Sequence, residues 1–144
     1  MKRVFMLVGA VILSASGLKA MADGSGRITV HVSTFRTVRG SLMCRLYSRG
    51  DGFPGKPPYD AQQAVAVTGT TGTCVFGGVA PGTYAVAVFH DENGNGKLDT
   101  NFLGIPREGV GVSNNKLRTL GPPTWEDSKF GLASSLTLDV KLHY

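Results

Sequence analysis

The sequence predicts an all-β fold, a single antiparallel β-sandwich of about seven strands. Short segments of alternating apolar and polar residues recur along the chain. Turn-forming clusters rich in glycine and proline separate them, drawing on 20 glycines and 7 prolines. No window beyond the first two dozen residues sustains a 3.6-residue apolar period. Regularly spaced short strands without helices are the pattern of two packed sheets.

The first segment reads differently. Lys2 and Arg3 precede an unbroken run of apolar residues and glycine over 4–13, a small polar stretch over 14–19, and then Ala20-Met21-Ala22. A positive start, a short apolar stretch and an A-x-A site are the features of a cleaved signal peptide. Spanning a bilayer takes about 20 apolar residues, roughly twice this run. The expected division is therefore a signal peptide over 1–22 and a β-sandwich domain over 23–144. No second long apolar run follows, so no integral membrane segment is expected after cleavage, and the expected location is periplasmic or secreted.

Cleavage changes the charge. The 144-residue chain has 15 Lys+Arg against 10 Asp+Glu, a net charge of +5 and a pI of about 9.5, which invites a nucleic-acid reading. Cleavage removes Lys2, Arg3 and Lys19 with no acid, so the balance falls to +2. The remaining basic residues are scattered, without a basic run or interleaved aromatics, and nucleic acid is not an expected partner.

In the domain, residues 28–32 alternate as a half-buried strand, and residues 42–47 form a second with Leu42, Cys44 and Leu46 on one face. Gly50 to Tyr59 is a glycine- and proline-rich loop. Residues 64–68 and 73–79 are a third and fourth strand, the latter placing Cys74 and Phe76 together. Residues 83–90, T-Y-A-V-A-V-F-H, are apolar on both faces, as expected of a central strand covered on both sides. Thr124 is positioned to cap one helical turn over 125–129. Leu136, Leu138, Val140 and Leu142 alternate in a last strand. Cys44 and Cys74 both fall at core-facing positions, and two cysteines in an exported protein suggest one disulfide; the alternative is two separate buried thiols.

The most specific segment runs from His90 to Asp99, H-D-E-N-G-N-G-K-L-D. Asp91, Asn93, Asn95 and Asp99 occupy positions one, three, five and nine of a calcium loop of the EF type, with Gly96 at the sharp turn and the Lys97 carbonyl at position seven. Calcium takes six to eight oxygens, and this spacing can wrap five around a point. Position twelve, which should carry a bidentate acid, is Phe102. A remote acid would have to complete the set, with Glu108 as the possible extra ligand, or Glu126 or Asp127. The alternative is a metal-free turn, since Asn-Gly, a strong turn signal, occurs twice. Calcium is the one cofactor the sequence suggests, with affinity of about 0.1–1 mM for so few charges.

Residues 101–115, N-F-L-G-I-P-R-E-G-V-G-V-S-N-N, lack a clean strand pattern. Phe102, Ile105 and Trp125 are positioned to pin this stretch to the sandwich. Gly104, Ile105, Pro106, Glu108, Ser113, Asn114 and Asn115 make up its expected surface motif.

The stretch from Phe89 to Glu108, with A-P-G-T-Y-A-V-A-V before it and G-V-S-N-N and G-P-P-T-W-E-D-S-K-F after it, resembles a family of exported bacterial proteins known as domain of unknown function 2141. Val110 and Val112 stand where that family has aromatic residues. The P-G-T-Y-x-V segment also resembles prealbumin-like and carboxypeptidase regulatory-like sandwiches. The resemblance implies a secreted β-sandwich, immunoglobulin-like or prealbumin-like, and no established activity.

The expected function is a non-catalytic exported module, binding or structural, of the cell envelope, with an envelope or extracellular protein or a glycan as partner. Two alternatives differ in class. A small-ligand carrier for an apolar compound or a glycan would use space beside Ala85 and Ala87. A small periplasmic hydrolase would need a nucleophile–base pair, for which His90 and Ser113 are the nearest fit. No G-x-S-x-G or H-E-x-x-H motif occurs, so the sequence is not read as an enzyme.

Overall fold

The computed structural model describes residues 25–144; the expected signal peptide and the first two residues of the expected domain lie outside them. Among the described residues, eight strands run in the order β1 (Gly26–Ser33), β2 (Ser41–Tyr47), β3 (Ala61–Ala66), β4 (Thr71–Val79), β5 (Gly82–Asp91), β6 (Val110–Val112), β7 (Phe130–Leu132) and β8 (Leu136–Lys141). One helical turn, α1 (Trp125–Ser128), precedes β7, and the Thr124 hydroxyl caps it by accepting the Asp127 N–H at 3.3 Å. No helix among the described residues is long and apolar enough to cross a membrane.

The strands form two packed sheets. In the smaller, β1 lies between β4, antiparallel, and β8, parallel. In the larger, the order is β3-β2-β5-β6, and β7 pairs the start of β5 on the same side that β6 pairs its end. The alternation in β1 decides which face is buried: Ile28, Val30 and Val32 are at most 1% exposed, while His31 faces out. In β8, Leu136, Leu138 and Val140 are in register with those three and continue the apolar face. Leu42, Cys44 and Leu46 of β2, and Val86 and Val88 of β5, meet them from the other sheet.

Cys44 of β2 and Cys74 of β4 are bonded, so the disulfide ties one sheet to the other through the core. Closing 30 residues of chain stabilises by about 3–4 kcal/mol in the chain-entropy account.

β5 is central, as its apolar pattern requires. Its second face is covered by Tyr47, fully buried, and by Val112, with Phe53, Tyr59, Leu117 and Trp125 packed on this smaller cluster. Ala85 and Ala87 are buried in this packing at 0% and 7% exposure. Two short strands were not legible in the pattern. β6 lies inside the stretch that reads as irregular, and β7 follows α1. Three-residue strands carry too little alternation to be seen, and here they form because β5 offers them free backbone donors and acceptors.

Candidate functional site

β5 carries the site. Beyond Phe89 its alternation places His90 on the core side and Asp91 on the opposite face. The His90 ring is fully buried and meets Phe35 edge to face at 4.9 Å. Its Nε2 donates to the Arg39 carbonyl at 2.7 Å, the role that a carbonyl acceptor dictates. Its Nδ1 meets the Tyr144 hydroxyl at 2.9 Å, and that hydroxyl also accepts the Arg36 N–H. Partial burial raises the Tyr144 hydroxyl pKa against the opposing effect of the Arg36 N–H and charge, and the Arg36 guanidinium lies 4.4 Å over its ring.

The chain leaves β5 across the turn that joins β1 to β2. Gly40 has φ of +71°, and a Cβ there would strike the backbone of Asp91 and Glu92, so the crossing needs glycine at this position. Glu92 then turns back into the protein. Its carboxylate accepts from Arg36 Nε at 2.7 Å and Arg39 Nη2 at 3.4 Å, and from the Thr37 hydroxyl. Burial opposes its ionisation. The hydrogen bond and charge of Arg36 outweigh that and hold its pKa below the usual carboxylate value.

Asp91, Asn93, Asn95 and Asp99 form one hydrogen-bonded web. The Asp91 carboxylate accepts the N–H of Asn95 at 3.2 Å and of Gly96 at 2.8 Å. The Asn93 and Asn95 side-chain carbonyls accept the N–H groups of Asn95 and Lys97. The two amide NH₂ groups donate to Asp99, Asn93 at 2.6 Å and Asn95 at 2.8 Å. Those two bonds, Asn95 first, hold the Asp99 pKa below its usual value. Lys97 itself is exposed and enters the web through its backbone N–H.

Glu108 joins this web from outside the loop. It is 5% exposed, and its two oxygens accept the N–H of Glu92 at 3.0 Å and of Asp99 at 3.1 Å. The other remote acids lie elsewhere. Glu126 pairs with Lys129, and Asp127 accepts from Thr124 in the cap of α1. Three carboxylates, two side-chain amides and the loop carbonyls supply oxygens of the kind calcium prefers. In the arrangement described, these oxygens face N–H donors, and the amide NH₂ groups stand against Asp99. Among the described residues, no set of three acidic, histidine or cysteine side chains is already gathered for a metal ion. A cation would enter by turning the Asn93 and Asn95 amides to present their oxygens.

Between the web and Glu108 the chain makes a short hairpin. Arg107 N–H donates to the Asp99 carbonyl at 2.9 Å, Thr100 pairs with Pro106, and Asn101 N–H donates to the Ile105 carbonyl at 2.9 Å. The Asn101 side chain caps the tip by accepting the N–H of Leu103 and Ile105. The expectation that Phe102 and Ile105 pin this stretch to the sandwich is overturned: Phe102 is 96% exposed, Leu103 68% and Ile105 55%. Only Trp125 packs inward. A cleft of about 450 Å³ at the hairpin base is lined by Arg36, Arg39, Arg107, Glu92, Asp99 and Glu108, among others.

The expected surface motif divides in two. Gly104, Ile105 and Pro106 lie exposed on the hairpin. Glu108 is buried on the web, and Ser113 is fully buried, its hydroxyl donating to the Ser128 carbonyl at 2.6 Å and accepting the Val86 N–H at 3.0 Å. Asn114 and Asn115 are exposed, but their side chains clip the chain to Asp127, Lys129 and β8. Ser113 and His90 share no hydrogen bond, each being committed to other partners. No sequence pattern marks Arg36, Arg39, Glu92 or Tyr144 for this site. Glu92 sits at a loop position with no ligand role, and its partners lie more than 50 residues away.

The family model described as an uncharacterized protein conserved in bacteria, DUF2141, matches residues 30–138. The chain belongs to this family. No curated protein and no solved structure matches it. The matched DUF2141 span runs from β1 into β8 and contains the whole web, the hairpin and both cysteines.

Proposed function

We propose that this protein is an exported, non-catalytic module of the cell envelope that makes contact through the hairpin of residues 101–106, and that calcium binds weakly to the web beneath it. The observation that carries this reading is the exposure of Phe102, Leu103 and Ile105 on a hairpin fixed at its base. Large apolar side chains grouped on a protruding, ordered tip are out of place on a protein that meets only water. The hydrogen bonds of Asn101, Asp99 and Glu108 hold the tip in one shape, which lowers the entropy lost on contact.

The non-catalytic reading is supported by the commitment of both His90 ring nitrogens and of the Ser113 hydroxyl to other partners. The calcium reading is supported by Glu108, which brings a third carboxylate to a loop that otherwise has two. Bound calcium would draw the Asp91, Asn93, Asn95, Asp99 and Glu108 oxygens together and stiffen the hairpin base.

Sedimentation with the isolated cell envelope tests the contact. The native protein is expected to co-sediment, and the triple variant Phe102→Ser, Leu103→Ser, Ile105→Ser to remain in solution. Equal sedimentation of the two proteins would remove the hairpin from the account.

A further inference from the structure

We infer that the envelope component met by this hairpin is an anionic lipid surface, into which Phe102, Leu103 and Ile105 insert while Arg39, Lys97 and Arg107 meet the headgroups. This deepens the reading of the hairpin as the contact surface and rests on it.

Three observations select lipid. The first is size. The apolar group is three side chains at a hairpin tip, 96%, 68% and 55% exposed, whereas a stable protein partner needs about 800 Å² from each side. A bilayer accepts a small apolar wedge without a preformed pocket. The second is the sorting of charge around the tip. The acids Asp91, Glu92 and Glu108 are buried at 2%, 8% and 5% exposure, with their oxygens turned to N–H groups and guanidiniums of the protein. The cations stay outside: Lys97 and Arg107 are exposed, and the Arg39 side chain is 68% exposed despite its long contact with Glu92. The face around the hairpin therefore presents positive charge to solvent, with Asp99 as the partly exposed exception. The third is proximity in the chain. Lys97 and Arg107 flank the hairpin, and Arg107 is tied to its base through the Asp99 carbonyl. Cations beside an apolar wedge suit an interface whose interior is hydrocarbon and whose rim is anionic.

The test is co-sedimentation of the protein, purified from cells expressing the full chain, with three materials: phosphatidylcholine vesicles containing a third phosphatidylglycerol, pure phosphatidylcholine vesicles, and cell-wall sacculi. Binding at least tenfold stronger to the anionic vesicles than to the neutral ones is expected. It should fall at least tenfold in Phe102→Ser/Leu103→Ser/Ile105→Ser and severalfold in Arg39→Gln/Arg107→Gln. Phe102→Trp should show a blue-shifted, vesicle-dependent emission. Comparison of native and variant proteins isolates the hairpin from any other apolar segment of the chain. Anionic-vesicle binding unchanged in the triple variant would overturn the inference. Hairpin-dependent binding to sacculi alone, or hairpin-dependent self-association, would overturn lipid as the partner and leave the hairpin as the contact surface. Binding of no material in a hairpin-dependent way would overturn both.

Discussion

The Glu108 carboxylate accepts the backbone N–H of Asp99 at 3.1 Å, while its other oxygen accepts that of Glu92 at 3.0 Å. One buried side chain thus joins the two ends of the loop and fixes the base from which the hairpin projects. The N–H groups of Glu92 and Asp99 both have Glu108 as their acceptor, so the two ends of the loop are tied through one side chain.

Glu108→Gln should reveal this dependence. Glutamine keeps one acceptor but turns an NH₂ toward one of the two N–H groups, leaving a buried donor unpaired. A loss of about 1–3 kcal/mol is expected from such a change. Urea denaturation of native and variant proteins measures it, and an unchanged midpoint would show that the loop holds without this contact.

Stability should fall in acid because of Glu92. Its folded pKa lies below the ordinary 4.5, so the unfolded chain binds its proton first as pH falls. The stabilisation is fully present above the unfolded value and is lost as pH drops through the folded one. Arg36→Gln removes the main source of the depression and should flatten the fall between about pH 5 and pH 3. Parallel pH profiles of native and variant proteins would disprove this assignment.

Gly40 and Gly94 both have φ of +71°, yet only Gly40 has backbone against the position of a Cβ. Gly94→Ala should cost about 1–2 kcal/mol, the conformational cost alone. Gly40→Ala should cost clearly more, since Asp91 and Glu92 must move as well. Thermal melting of the two variants gives the comparison, and equal losses would mean that the crossing of the loop over Gly40 is not tight.

Calcium should bind with a dissociation constant of about 0.1–1 mM and raise the melting temperature. Calorimetric titration and melting with and without chelator test this. Asp91→Asn should weaken binding, because it removes one of the three carboxylates. No heat and an unchanged melting point at millimolar calcium would leave the web as a metal-free turn.

The strands that carry several alternating pairs, β1, β2, β5 and β8, were legible in the sequence, as was the inward aim of Cys44 and Cys74. The turn over residues 91–99 was legible too, because its two Asn-Gly pairs are close together in the sequence. Its setting was not. Glu92 depends on Arg36 and Arg39, and His90 on Tyr144, contacts that exist only once β1, β2 and β5 have packed. The exposure of Phe102 and Ile105 ran against the sequence expectation for a physical reason. Asn101 satisfies the tip's own backbone, so the tip does not need the sandwich to be ordered.

Hydrogen–deuterium exchange of the protein, free and bound to its envelope fraction, tests the proposed contact most directly. Slowed exchange is expected in peptides covering residues 97–107, with β1, β8 and the Tyr47–Trp125 face unchanged. Protection confined to that face or to the β3–β4 edge, with residues 97–107 exchanging as in the free protein, would contradict it.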